Sequence, residues 1–160
     1  MKPASHATKI GRRTRAAACL AVAVGAASVL VPAQAPTFDT ITYKDSGGFA
    51  GGGTGKSLRL TGEGEVTAQV RHGPSRTLRL QDQDMAALKT AVAAVEWEHL
   101  QTWYSTRGAA DLVTRDLIVV VQGHTYETHA DDLARVPAPL AELFTRLDEL
   151  YRQATTASRK

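Results

Sequence analysis

Six glycines, Gly47, Gly48, Gly51, Gly52, Gly53 and Gly55, fall within nine positions of this 160-residue chain. Glycine loses more conformational freedom on ordering than any other residue, so such a stretch breaks regular structure and divides what enters it from what leaves it. The entering segment, Thr37 to Tyr43, places Phe38, Ile41 and Tyr43 among polar residues, as a half-buried strand does. The leaving segment, Leu58-Arg59-Leu60-Thr61, also alternates and meets glycine again at Gly62 and Gly64. That second strand bears on chemistry. Ala50-Gly51-Gly52-Gly53-Thr54-Gly55-Lys56-Ser57 fits a relaxed phosphate-loop pattern, but a phosphate loop needs its lysine and hydroxyl residue to open a helix whose N–H groups face the phosphates. Here they open a strand, and no later apolar strand ends in an obvious acidic residue for magnesium. No nucleotide site is expected.

The N-terminus reads as an export signal. Lys2, Lys9, Arg12, Arg13 and Arg15 precede an uninterrupted run of small and apolar residues from Ala16 to Val31, with no acidic residue before Asp39. Small residues follow at Val31-Pro32-Ala33, where cleavage is expected. The alternative, after Ala35, sets Pro36 at the scissile bond. The expected organisation is a signal peptide over residues 1–33, one domain over 36–153 and a flexible tail over 154–160, with the product secreted or periplasmic. Cys19, the one cysteine, would leave with the signal. The mature chain must then be held by its core, without disulfides. Five of the 19 basic residues also lie in the signal, leaving 14 against 16 acidic, a net charge of about −2. Such a domain has no electrostatic footprint for nucleic acid or, once the signal is removed, for an anionic membrane.

Further strands are expected over Glu65 to Arg71 and Arg76 to Leu80, separated by the turn His72-Gly73-Pro74-Ser75. Asp82 reads as a helix N-cap with Asp84 in the first turn, and Met85, Leu88, Val92 and Val95 share one face of a helix over 83–95. Residues 96–111 read as irregular. Leu117 to Val121 is the most apolar run after the signal and predicts a central strand, turned by Gln122-Gly123 into a partner over His124 to His129. A last helix starts near Pro137 or Pro139, with a stripe of Leu140, Leu143, Phe144, Leu147, Leu150 and Tyr151. The fold class is α+β: an antiparallel sheet of about four to six strands in the order ββββ-α-ββ-α, with two helices on one face.

Catalytic signals are sparse. His124 and His129 stand five apart, on opposite faces of a strand, which suits surface histidines better than zinc ligands. No Gly-x-Ser-x-Gly nucleophile motif is present. Trp97, Trp103 and Tyr104 read as closing the end of the core, with a ligand-binding aromatic surface as the alternative. No catalytic residue, metal site or cofactor is expected. The glycine loop is harder to explain by folding alone, since a hairpin needs one or two glycines and this loop has six. Two readings stay open: a flexible, tolerated linker loop, or a contact loop in which Gly47, Gly48 and Gly51 let the backbone approach a partner closely, with Phe49 as an inserted anchor.

Ser46-Gly47-Gly48-Phe49-Ala50-Gly51 at the end of a strand, together with Val136-Pro137-Ala138-Pro139-Leu140 opening the closing helix, resembles the emfourin family. Emfourins are small protein inhibitors of thermolysin-like zinc metalloproteases. The resemblance implies a monomeric inhibitor with no cofactor of its own, bound to a secreted protease that carries the zinc. Partner contacts fall on Ser46, Gly47, Gly48, Phe49, Ala50 and Gly51, with Ser46 and Lys56 at the rim. The alternative is a small secreted ligand-binding protein or hydrolase using the region from Trp97 to Tyr104 and nearby acids.

Overall fold

Alternating residues send side chains to opposite faces of a strand, so each period-two segment contributes one apolar row to a common core. A computed structural model describes residues 38–47, 55–70, 72–108 and 112–156. The expected signal segment lies outside the described residues. Among them, strands β1 (Phe38–Gly47), β2 (Ser57–Thr61), β3 (Glu65–Gln69) and β4 (Ser75–Arg79) precede helix α1 (Asp82–Ala93). Strands β5 (Trp103–Tyr104), β6 (Val113–Val121) and β7 (His124–Asp131) follow, and helix α2 (Ala138–Thr156) closes the domain. The fold is α+β. Its strands lie in the order β4-β3-β2-β1-β6-β7-β5. Every neighbouring pair is antiparallel except β5 with β7.

One face of the sheet is apolar. Ile41 and Tyr43 of β1, Leu58 and Leu60 of β2, Val66 and Ala68 of β3, and Leu117 and Val119 of β6 are buried there. The stripe of α2 supplies Leu140, Leu143, Phe144, Leu147 and Leu150 to the same core, with Leu88, Ala91 and Val92 from α1. α2 crosses β2, β3 and β4, and α1 packs beside it. The alternate residues, including Thr42, Lys44, Arg59, Asp116 and His129, face away from the helices. Chain direction then brings the end of β1 and the starts of β2, β4 and β6 to one end of the sheet.

Several elements differ from the sequence reading. Seven strands replace four to six because β5, only two residues long, has no period to detect. It is recruited by tertiary contacts: the His129 N–H donates to the Thr102 carbonyl at 2.8 Å, and the Thr128 hydroxyl to the Gln101 carbonyl at 2.8 Å. A 3₁₀ turn over Trp97–His99 precedes it. β6 begins at Val113 rather than Leu117, since its polar first half pairs with β1 as far as Gly47. Asp82 is not the N-cap of α1. Gln81 holds that position without a side-chain bond, and Asp82 and Asp84 sit in the first turn, where their charge favours the helix dipole. α2 runs to Thr156 with Ala154 buried, so the core extends beyond the expected start of the tail.

Two turns set the register. Asp39 lies at the irregularity between Phe38 and Thr40 in the β1–β6 ladder. Its carbonyl accepts the Gly62 N–H at 2.8 Å, and its carboxylate accepts the Gly123 N–H at 2.9 Å. A Cβ on Gly62 would stand 2.4 Å from the Phe38 carbonyl oxygen, so that backbone approach admits only glycine. Gln122 and Gly123 have φ of 52° and 78°, the left-handed pair of a type I′ hairpin. Gly62→Ala is expected to destabilise the fold by about 2 kcal/mol or more in urea denaturation. Gln122→Asn should instead stabilise it by about 0.5 kcal/mol, since asparagine tolerates positive φ better.

Candidate functional site

The glycine loop joins two neighbouring strands in the middle of the sheet. The β1–β2 ladder ends at Lys44 opposite Ser57, and one further bond, from the Asp45 N–H to the Lys56 carbonyl at 3.1 Å, closes the loop base. β1 continues past this point on its other side, with Asp45, Ser46 and Gly47 opposite Arg115, Thr114 and Val113 of β6. Ser46 is exposed on the face away from the helices. Gly48, Phe49, Ala50 and Gly51, the remaining predicted contact residues, lie outside the described residues.

Beneath the loop base is a charged cluster. Lys56 Nζ lies 3.2 Å from Asp45 Oδ2 and 3.2 Å from Asp148 Oδ1. The Tyr43 hydroxyl donates to the same Asp148 oxygen at 3.0 Å, and the Lys56 ammonium stands 5.9 Å from the centre of the Tyr151 ring. The Asp45 side chain is only 3% exposed, so its charge needs a cation alongside. Burial pushes the Tyr43 phenol far up, reinforced by the carboxylates of Asp148 and Asp45. Burial acts to lower Lys56, but its hydrogen bond to Asp148 and the charges of Asp45 and Asp148 outweigh this and raise it.

This geometry gives Lys56, expected at a contact rim, a structural role within the fold. Its ammonium is drawn to the helix side of the sheet by two carboxylates and holds β1, β2 and α2 together. It also bears on the phosphate-loop pattern: Ser57 opens strand β2, and the lysine is already engaged. Asp45, Asp148 and Tyr43 were not found from the sequence. A weak signal existed, since Asp45 and Lys56 carry opposite charges at the two ends of the loop.

A second cluster occupies the uncovered face. His129 Nδ1 lies 2.7 Å from Asp116 Oδ1, and Nε2 lies 3.2 Å from Glu127 Oε1. The Trp103 ring stacks on His129, with centroids 4.3 Å apart and planes 18° apart. His124 is exposed as expected. His129 is not a simple surface histidine, because the neighbouring strands β6 and β5 bring Asp116 and Trp103 opposite it. Of the three aromatics expected to close the core, Tyr104 is buried, and Trp97 packs on Tyr126 and donates from Nε1 to the Val92 carbonyl at 3.1 Å. Trp103 is 59% exposed. Nearby, Asp131 accepts from the Thr106 N–H and hydroxyl and from the Leu133 N–H. Burial acts to raise its carboxyl, but these bonds hold it below the usual range.

Compared with known proteins, the chain matches no family model, no curated protein and no solved structure. What it does has to be read from its own residues.

Both Tyr43 and Lys56 hold their protons more tightly in the folded state than in the unfolded chain. Their stabilisation is complete below about pH 10 and is lost as pH rises further, through the folded values. Urea denaturation from about pH 8 to about pH 11 should show that loss, and Tyr43→Phe should flatten it. Lys56→Met, which removes the cation beside the carboxylates of Asp45 and Asp148, is expected to cost about 3 kcal/mol.

Proposed function

We propose that the domain is an exported protein-binding module that inhibits a secreted thermolysin-like zinc metalloprotease through the glycine-rich loop beginning at Ser46. One observation carries this reading: the loop base is hydrogen-bonded between central strands and tied to α2 through Lys56 and Asp148. An inhibitory loop must enter a protease cleft without relaxing into the extended form that is cut. Fixing both ends supplies that restraint and lowers the ordering entropy lost on binding. Gly47, Gly48 and Gly51 would admit close backbone approach, Ser46 would lie at the rim, and Phe49 would fill an apolar subsite. The protein contributes no metal; the protease brings the zinc.

A second reading, a small secreted ligand-binding protein or hydrolase, is favoured by Trp103. Its exposed indole beside Asp116, Glu127 and His129 would make a stacking platform for a polar ring.

Residual activity of a thermolysin-like protease against increasing purified protein tests the first reading. Stoichiometric loss of activity, with the inhibitor left intact, is expected. Phe49→Ala should weaken inhibition roughly thirtyfold, the effect of losing about 2 kcal/mol at a hot spot. Lys56→Met should allow cleavage near Gly53. Full protease activity at large molar excess would overturn the reading and leave Trp103→Ala as the variant to examine for ligand loss.

A further inference from the structure

A cleft of about 410 Å³ opens between α2 and the sheet beside the loop base, lined by Lys56, Arg115, Thr145, Asp148, Tyr151 and Arg152. Its charges are not balanced. Lys56 is satisfied by Asp45 and Asp148, and those are the only two carboxylates among the described residues tied to this wall. Against them stand three cations. Arg115 is directly opposite Asp45 in the ladder, yet among the described residues neither Arg115 nor Arg152 has a carboxylate within ion-pair distance. Arg146, on the same helix, shows the contrast: it is bound by Glu142 at 2.8 Å.

The Arg115 guanidinium lies 5.6 Å from the centre of the Phe144 ring. That contact uses the face of the guanidinium and leaves its in-plane N–H donors for other partners. Arg152 projects from the exposed side of α2 into the same cleft. Two guanidinium groups line one opening together with a lysine, a set of donors of the kind that an oxyanion accepting several hydrogen bonds requires. The Tyr151 ring supplies an apolar wall for whatever carries that group.

We propose that this cleft binds a small oxyanion of two or more negative charges, of the phosphate or polycarboxylate kind, between Arg115 and Arg152. The anion serves the two guanidinium groups, Arg115 and Arg152, that have no ion-paired carboxylate among the described residues. Because the cleft shares Lys56 and Asp148 with the loop base, occupancy also stabilises the anchoring of the glycine loop. The site does not depend on the inhibitor reading, and its test does not involve a protease.

Calorimetric titration of the full-length protein with inorganic phosphate, and separately with citrate, at constant ionic strength tests the proposal. Saturable binding in the millimolar range is expected for at least one of them. Saturation by phosphate alone identifies a compact tetrahedral ligand, and saturation by citrate alone identifies a polycarboxylate. Arg152→Gln should raise Kd about tenfold, as expected for losing one charge-assisted bond. Its exposed position keeps the fold intact, which circular dichroism verifies. Arg115→Gln should act in the same direction, and Arg79→Gln, on the exposed strand β4, should leave Kd unchanged. No saturation with either anion, or unaltered affinity in Arg152→Gln, would overturn the proposal.

Discussion

Strand β1 is hydrogen-bonded along one side to β2 and along the other to β6, so it joins the N-terminal meander to the C-terminal hairpin. Its inward residues Ile41 and Tyr43 are fully buried, and its first residues also carry the turns at Gly62 and Gly123 through Asp39. The residues that flank the loop are set by this position. On one side the β1–β2 ladder stops at Lys44, while on the other the β1–β6 ladder runs on to Gly47. The chain therefore leaves the sheet already held in an extended direction.

Burial decides which of the ion pairs matter. Arg146 and Glu142 are 42% and 60% exposed, and such a pair one helical turn apart contributes a few tenths of a kcal/mol. Lys56 sits over a carboxylate that is almost wholly withdrawn from water, where an ion pair is screened far less than at the surface. Tyr43 adds a directional element, since its hydroxyl reaches from the centre of the sheet to Asp148 on α2. Sheet, helix and loop thus meet at four side chains. The same concentration of charge leaves Arg115 and Arg152 facing a common opening.

Much of the fold was legible because periodicity reports burial. The stripe from Leu140 to Tyr151 and the alternation in β2 and β3 read directly as elements. The first half of β6 was not legible. Arg115 and Asp116 belong to opposite faces, and nothing local reveals that one covers Phe144 while the other meets His129. The same holds for β5, whose place depends on β7. Both charged clusters are long-range assemblies: Lys56 with Asp148, and Asp116 with His129, are brought together by register and packing. Trp103 was misread because aromatic composition alone does not indicate which side of a strand an indole occupies.

The pairing of Phe38 with Val121 and of Gly47 with Val113 also bears on the timing of folding. The strands β1 to β4 are near neighbours in the chain and can form a meander early. The central strand, however, lacks one flank until β6 has been made, after the whole meander and α1. Contacts between such distant residues form slowly, because the intervening chain must first be closed into a loop. During synthesis the polypeptide therefore passes through an interval in which its sheet is unfinished and its backbone can still be threaded. Until that closure the edge of β1 that will pair with β6 is open, so the meander carries an unpaired strand edge that the C-terminal hairpin later covers.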